Sequence, residues 1–157
     1  LQPVGMLVVL DSVFNRIIRN RKLGKSTWVY IDEIYLLFQH EYSANFLFTL
    51  WKRVRKYGAC CTGLTQNVDD LLQSHTARTM LANSEFLVML NQAATDRAEL
   101  ANLLNISDNQ LSYITNVDSG RGLIKCGSAI VPFMNSFPKN RLYQLMTTRP
   151  SETMAAA

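Results

Sequence analysis

The sequence predicts an α/β fold in which helices flank a mainly parallel sheet, with a β-hairpin near the C-terminus. Residues 27–31 form a continuous apolar and β-branched run, which is typical of a strand covered on both faces. Residues 59–65 are predicted as a second buried strand and residues 86–90 as a third. Segments with the apolar spacing of helices separate these runs. Because strand and helix alternate along the chain, we expect parallel strands joined by right-handed crossovers.

Length and composition place the chain among globular proteins. It has 157 residues, of which 48% are hydrophobic and 18% charged, so it can bury a core and does not have a disordered composition. We predict one domain over residues 1–150 and a disordered tail over residues 151–157. No apolar run approaches the ~18 residues of a membrane span. The three cysteines, two of them adjacent, do not suggest a disulfide framework and fit a reducing cytoplasm.

The first half of the chain is predicted to alternate between helices and strands. A helix over Val4–Asn20 carries a stripe of apolar residues and precedes the first strand. A second helix, Ser43–Tyr57, is ended by Gly58 and leads into the second strand. A short helix capped by Asn67 and a further helical turn over residues 76–82 precede the third strand.

The C-terminal part is predicted to hold short helices and the hairpin. A helix over Thr95–Leu104 is followed by a second one that begins with a Ser-x-x-Gln capping box at Ser107. Gly127–Ser128 separates two short strand patterns, which indicates a tight hairpin turn. A last short helix is predicted over residues 139–146.

Polar residues follow the three predicted strands. They are Asp32 and Glu33 after the first strand, Gln66 after the second and Asn91–Gln92 after the third. In open parallel sheets, ligands bind beyond these carboxyl ends of the strands. Since a crossover helix joins the first two strands, we expect the amide of Gln66 to lie near the two carboxylates.

This group of side chains suits the hydrolysis of a magnesium-bound nucleotide. Asp32 is the candidate ligand of a hydrated Mg²⁺, and Glu33 is the candidate base that orients and deprotonates the attacking water. The amide of Gln66 can hydrogen-bond the γ-phosphate or that water. A purely structural interpretation stays open, in which an acidic pair ends a strand and Gln66 caps the next helix.

The formal charge of +4 comes with two basic clusters, Arg16–Lys25 and Lys52–Lys56. Arg53 and Arg55 are candidates for an arginine that reaches into a neighbouring subunit and stabilises the charge that develops in phosphoryl transfer. They also fit a solvated surface, or a helix C-terminus whose dipole favours cations. The clusters as a whole are typical of solvated faces and, less often, of anion or nucleic-acid contacts.

Leu23–Thr27 ends like a phosphate-binding loop but does not fit one. The motif Gly-x-x-x-x-Gly-Lys-Ser/Thr requires glycine at position 19, where this chain has Arg19. It also requires a strand before the loop and a helix after it, whereas the predicted order here is the reverse. The sequence contains no other phosphate-cradling glycine loop, and no Gly-x-Gly-x-x-Gly of a Rossmann-like domain.

Several motifs, taken together, resemble a known family. They are Val29–Glu33, Trp51–Gly58, Thr62–Asn67, Leu90–Gln92, Asp96–Arg97, Leu104–Ser107, Gly122–Ile124, Pro132–Phe133 and Phe137–Pro138. The combination covers about residues 7–150 and is similar to the large VirB-type ATPase of type IV secretion and conjugation systems, in particular the version on conjugative elements of Gram-positive bacteria. The resemblance implies a partial RecA-like P-loop NTPase fold of the HerA/FtsK superfamily.

The resemblance also implies roles for individual residues. Asp32 and Glu33 match the Walker B pair, in which Asp32 holds Mg²⁺ through water, and Gln66 matches the glutamine that senses the γ-phosphate. Arg55 is the best match to the arginine finger, with Arg53 as the alternative. The Walker A loop and the N-terminal domain of the family have no match here. We therefore expect the C-terminal part of an ATPase domain, excised or truncated and inactive by itself.

For the whole protein, the resemblance implies ATP and Mg²⁺ as cofactors and a homo-hexamer at the cytoplasmic face of the cell membrane. It implies contacts with other type IV secretion subunits and with DNA, and a peripheral association with the inner membrane. ATP hydrolysis would drive the export of DNA or protein, or channel assembly. A different class of function stays open, namely a non-catalytic interaction module that binds partner subunits or DNA through the basic clusters.

Overall fold

The structure of the chain is a computed structural model that describes residues 2–66 and 68–147. The predicted cap Asn67 and the predicted tail over residues 151–157 lie outside the described residues. The chain divides into two compact units. The first comprises the chain up to Ser84 together with Ala98–Asn105, and the second comprises Glu85–Arg97 together with the chain from Ile106 onwards.

The first unit contains a parallel pair of strands among helices. Its elements are helix α1 (Gln2–Lys22), strand β1 (Thr27–Ile31), a 3-10 turn (Ile34–Phe38), helix α2 (Glu41–Arg53), a 3-10 turn (Val54–Tyr57), strand β2 (Ala59–Gly63), helix α3 (Val68–Gln73), helix α4 (His75–Ala82) and the C-terminal half of helix α5 (Ala94–Leu104). Each predicted helix and strand of this unit is present within a few residues of its expected bounds. The 3-10 turn after β1 was not expected from the sequence.

The core of the first unit forms where α1 and α2 pack against the sheet. Ile17 of α1 and Leu47 of α2 are fully buried, and Leu50 of α2 is 2% exposed. The aromatic ring of Phe14 packs edge-on against that of Tyr57, with 5.5 Å between their centroids. Ser74 caps α4 by accepting a hydrogen bond from the backbone of Ala77, which satisfies one of the unpaired donors at a helix start.

The parallel sheet of the first unit is covered on one face only. Strands β1 and β2 run in register from Thr27 opposite Ala59 to Ile31 opposite Gly63. Trp28 and Tyr30 point to the other face and are 65% and 68% exposed. The expectation that these strands are covered on both faces is therefore wrong for the chain as described, because their side chains alternate between the core and solvent.

The second unit is built around an antiparallel sheet. Its elements are strand β3 (Phe86–Met89), the start of α5, helix α6 (Asp108–Leu111) with a 3-10 turn (Ser112–Ile114), strands β4 (Arg121–Cys126) and β5 (Ala129–Met134), and helix α7 (Arg141–Met146). The predicted capping box of Ser107 is present at the start of α6. The predicted hairpin is also present, as the pair β4–β5.

The third strand differs from its expected place. Strand β3 pairs antiparallel with β4, from Phe86 opposite Cys126 to Met89 opposite Leu123, so it does not extend the parallel sheet. Gly122 permits this pairing, because a Cβ there would lie 2.1 Å from the carbonyl oxygen of Met89. The α/β fold with a small parallel sheet, flanking helices and a C-terminal hairpin is thus confirmed, with the parallel part limited to two strands.

Within residues 2–66 and 68–147, no helix combines the length and the apolar character needed to cross a bilayer.

The burial of Leu47 makes a direct test of the first unit's core. We expect Leu47→Ala to lower the free energy of unfolding by about 2–5 kcal/mol, because it removes a fully buried side chain and leaves a cavity. Both tryptophans, Trp28 and Trp51, lie in the first unit, so tryptophan fluorescence in a urea titration reports on it selectively. Leu23→Ala is the control, since Leu23 is 60% exposed; equal losses in the two variants would contradict the packing described.

Candidate functional site

Two backbone hydrogen bonds join the chain segments at the carboxyl ends of β1 and β2. The amide of Leu64 donates to the carbonyl oxygen of Ile31 at 2.8 Å, and the amide of Ile34 donates to the carbonyl oxygen of Leu64 at 2.9 Å. These bonds extend the pairing of the strands past the last register pair. The chain segments that carry the candidate acidic pair and the candidate glutamine therefore leave the sheet side by side.

The acidic pair lies in a tight turn directly after β1. Glu33 has a left-handed backbone conformation, with φ 46° and ψ 49°, which is uncommon for any residue but glycine and costs on the order of 1–3 kcal/mol. The carboxylate of Asp32 accepts a hydrogen bond from the amide of Glu33 at 3.0 Å. Ile34, which follows, is buried and begins the 3-10 turn. The turn thus ends the strand while keeping both carboxylates at its carboxyl edge.

Glu33 and Gln66 are in direct contact. The side-chain amide of Gln66 donates to Oε1 of Glu33 at 3.2 Å, although the two residues are 33 positions apart in the sequence. Gln66 and Asp32 are exposed and Glu33 is half-buried, so a ligand can approach this edge from solvent. The structure therefore brings the three residues together at one edge of the sheet, while their catalytic roles stay a prediction.

Gly63 also belongs to this site, although nothing in its sequence surroundings marks it as a functional residue. It is the last residue of β2, and a Cβ added there would lie 2.5 Å from Cδ1 of Ile34 and 3.3 Å from its Cγ2. Ile34 is only 5% exposed and belongs to the core of the first unit. The absence of a side chain at position 63 therefore allows the turn that carries Glu33 to lie against β2. A glycine at a strand end is a weak signal by itself, because such residues also mark bulges and turns.

The donor groups at this edge fit a hydrated Mg²⁺ rather than a metal enclosed by protein ligands. In residues 2–66 and 68–147, no group of three or more His, Cys, Asp or Glu side chains is arranged to hold a metal ion. Mg²⁺ usually keeps several of its waters and is bound through one or two carboxylates together with substrate phosphates. The exposed carboxylate of Asp32 at a strand end has the chemistry and the accessibility for this role.

The two candidate arginines lie at the opposite edge of the sheet. Arg53 is the last residue of α2 and Arg55 belongs to the 3-10 turn before β2; both are exposed. Gly58, at φ 65°, ends that turn, and its amide bonds the carbonyl oxygen of Arg55 at 3.1 Å. Since β2 has five residues, which span about 13 Å at ~3.3 Å per residue, the structure does not bring these arginines to Glu33 of the same chain.

The polar residues after β3 and the cysteine Cys61 of β2 make contacts that stabilise the fold and do not form a site. In the second unit, Oδ1 of Asn91 accepts from the amide of Val117 at 3.2 Å, and the side-chain amide of Gln92 donates to the carbonyl oxygen of Leu90 at 3.2 Å. Burial, and to a lesser extent the neighbouring Cys60, raise the pKa of the Cys61 thiol to about 11. A thiol that stays protonated at neutral pH is a poor nucleophile, so the surroundings of Cys61 do not favour nucleophilic chemistry.

Segment Leu23–Thr27 is not a phosphate-binding loop in the structure. Helix α1 precedes it, and its last residue, Thr27, begins β1. The amide of Lys25 bonds the carbonyl oxygen of Asn20 at 2.9 Å, and Gly24 has a φ of 67°. This is the geometry of a turn that closes the C-terminus of a helix, so the fold agrees with the expectation that this segment is not a phosphate-binding loop.

Comparison with known proteins relates this arrangement to one family. The family model described as the TraG P-loop domain matches residues 1–124. The solved structure of VirB4 of Thermoanaerobacter pseudethanolicus is similar, with a TM-score of 0.74 and 26% sequence identity. The similarity covers 83% of this chain and 36% of the VirB4 chain, so this chain spans about a third of the length of that relative. No curated protein matches the chain.

The contact between Gly63 and Ile34 can be tested by a double-mutant cycle. We expect Gly63→Ala to destabilise the first unit by about 1–3 kcal/mol, because the added methyl group overpacks a buried contact. Ile34→Val removes the Cδ1 atom that the new Cβ would meet, so it should restore part of that loss in the Gly63→Ala background. The free energy of unfolding is measured in urea. If the effects of the two substitutions on it are additive, contact with Ile34 is not what excludes a side chain at position 63.

Proposed function

Because the chain belongs to the TraG P-loop domain family, which it matches over residues 1–124, we propose that it is the part of a type IV secretion or conjugation ATPase that carries the Walker B pair and the γ-phosphate-sensing glutamine. The observation that carries the proposal is the hydrogen bond between Gln66 and Glu33 beside Asp32, at the carboxyl edge of a parallel sheet. That edge is where open α/β sheets bind their ligands.

Each residue of this edge has a distinct part in the proposed hydrolysis. Glu33 orients the attacking water and takes its proton on a carboxylate oxygen as the water oxygen attacks the γ-phosphorus and ADP leaves. Gln66 donates to Oε1 of Glu33 in the described state, and the same amide can turn to the γ-phosphate when a nucleotide is present. Gln66 thereby makes the position of Glu33 depend on whether a γ-phosphate is bound.

Asp32 is the proposed holder of the metal. Its carboxylate would bind Mg²⁺ through water at the exposed edge, and the metal would offset the negative charge of the triphosphate oxygens. The glycine-rich loop that cradles phosphates in P-loop ATPases has no counterpart in this sequence. Nucleotide binding is therefore a property we propose for the chain in combination with such a loop.

The arginines fit a role between subunits. Arg55, or Arg53 in its place, is on the edge of the sheet opposite to Glu33, about 13 Å away along β2. An arginine at that distance cannot stabilise the phosphate bound beside Glu33 of its own chain, but it is exposed and can reach the site of a neighbour. This supports the proposal that the active assembly is a ring, namely the hexamer implied by the family resemblance.

The proposed setting is a type IV secretion machine. In it, the ATPase works at the cytoplasmic face of the cell membrane, contacts other secretion subunits and couples ATP hydrolysis to the export of DNA or protein or to channel assembly. A non-catalytic interaction module is the alternative proposal. The variants below separate the two, because only the ATPase requires the side chains at the carboxyl edge.

Replacement of Glu33 tests the proposed base. In an ATPase that joins this chain to an upstream phosphate-binding loop, we expect Glu33→Gln to lower kcat about 10²- to 10⁴-fold, because the amide cannot accept the proton. Nucleotide affinity, measured with a fluorescent ATP analogue, should change little. Glu41→Gln is the matched control, since Glu41 is exposed at the start of α2. Unchanged turnover in Glu33→Gln would remove Glu33 from the mechanism.

A mixing experiment tests whether the arginine acts between subunits. Subunits with Arg55→Ala and subunits with Glu33→Gln should each be inactive by themselves. When they are mixed and allowed to exchange, we expect part of the activity to return, because some sites then combine Glu33 of one subunit with Arg55 of the next. The same mixture with Arg53→Ala decides which arginine is the finger. A lack of recovery in both mixtures would contradict action in trans.

A further inference from the structure

Strand β1 has a hydrogen-bonding side that no strand occupies. Within residues 2–66 and 68–147, the parallel sheet has the order β1–β2, so β1 has a neighbouring strand on one side only. The amide of Thr27 bonds the carbonyl oxygen of Gly58, just before β2, so residues 27, 29 and 31 turn their backbone groups towards β2. Because the backbone groups of successive residues point to opposite sides of a strand, those of Trp28 and Tyr30 point away from β2. We call this the free side of β1.

An open groove runs along the free side of β1. Its volume is about 580 Å³, and it is lined by Thr27–Tyr30 of β1 and by residues of α1 that include Val8 and Val9. Both valines are exposed. Since the groove touches residues from both faces of β1, it follows the side of the strand and not one of its faces. An extended segment can therefore approach β1 with apolar side chains of α1 beside it.

Strand β1 lacks the features that usually prevent the pairing of an unoccupied strand side. Such sides normally carry a lysine, a proline, a bulge or an inward-pointing charge. Residues 27–31 contain neither a charged residue nor a proline, and their register with β2 has no bulge. The large side chains of Trp28 and Tyr30 are exposed. A strand of this composition is a template to which a further strand can add.

The sequence of β1 is complementary to itself in the antiparallel direction. When Val29 of one copy lies opposite Val29 of another, Trp28 of each copy lies opposite Tyr30 of the other. This register uses the backbone groups that face the free side, because each Trp28–Tyr30 pair then exchanges two N–H···O=C hydrogen bonds. It also places aromatic side chains opposite each other, which is a favourable cross-strand combination.

The charges at the two ends of β1 favour the same arrangement. Lys25 precedes the strand, Asp32 follows it directly, and both are exposed. An antiparallel pair of β1 strands brings Lys25 near Asp32 of the second copy at both ends, whereas a parallel pair would bring like charges together. Strand β2 also has one side without a neighbouring strand in the described residues. Its preceding cations, Arg55 and Lys56, would meet no carboxylate, because residues 59–67 contain no Asp or Glu.

We propose that the chain binds a second copy of itself through the free side of β1. The two copies form one four-stranded sheet with the order β2–β1–β1–β2 and a two-fold axis at Val29. Because both copies use the same surface, the contact closes after two chains. The interface is small, so we expect a dissociation constant in the micromolar range. The proposal does not rest on the catalytic roles proposed for Glu33 and Gln66.

Sedimentation equilibrium of the 157-residue chain tests the proposal. The apparent mass should rise from 17.8 kDa towards twice that value over the micromolar range of concentration. Trp28→Lys combined with Tyr30→Lys should weaken the dimer at least about tenfold, because like charges then lie opposite each other in both cross-strand pairs. Both residues are exposed, so thermal unfolding should change little. Gln66→Ala should dimerise like the unmodified chain, which keeps this result separate from that of the proposed ATPase.

Cys60→Lys combined with Thr62→Lys is the matched control. These exposed residues of β2 lie beside Trp28 and Tyr30 on the same face of the sheet, and their replacement raises the formal charge by the same amount. The control should retain the dimer, because its substitutions are one strand away from the contact. A chain that stays monomeric throughout the micromolar range would overturn the proposal. An equal loss in both double variants would also overturn it, since the copies would then meet through the exposed face.

A disulfide cross-link reports on the register. In a background with Cys60→Ser and Cys126→Ser, Val29→Cys should give a covalent dimer on mild oxidation. Opposed residues of a non-hydrogen-bonded antiparallel pair have Cα atoms about 4.5 Å apart, which is within the range of a disulfide. Thr27→Cys in the same background should not cross-link, because it lies opposite Ile31 of the second copy. Cross-linking through position 27 and not through position 29 would contradict the antiparallel pairing.

Discussion

The candidate site depends on two backbone hydrogen bonds that continue the pairing of β1 and β2 beyond the strands themselves, from Leu64 to Ile31 and from Ile34 to Leu64. Backbone hydrogen bonds at the ends of two paired strands restrict the conformations of the residues that follow them. Glu33 and Gln66 meet for this reason, and not because their side chains attract each other strongly. A contact between two accessible polar side chains contributes little stability unless the backbone has already brought them together.

Sequence patterns predicted the parts of the fold that depend on local chemistry. The capping box at Ser107, the hairpin turn at Gly127 and the polar ends of β1 and β2 are all signalled by residues a few positions apart. The antiparallel pairing of β3 was missed, because strand direction depends on the partner strand and not on the strand's own composition. The fit of Gly63 against Ile34 was missed for a similar reason, since it joins positions that are 29 residues apart.

The parallel sheet gives the first unit two edges of opposite chemical character. Carboxylates and an amide follow the carboxyl ends of the strands, while guanidinium and ammonium groups precede their amino ends. A length of about 13 Å separates the two edges, which exceeds the screening length of physiological salt, about 8 Å. The edges therefore do not neutralise each other within one chain.

The left-handed backbone of Glu33 sets the stability of the fold against the catalytic role proposed for the same residue. Glycine adopts φ 46° without steric penalty, so a library of variants selected for resistance to heat alone would be expected to enrich glycine at position 33 and discard the carboxylate. Strained positions of this kind are common where a protein gives up folding energy to hold a reactive group. Tolerance to substitution at residue 33 would therefore look very different under selection for folding and under selection for turnover.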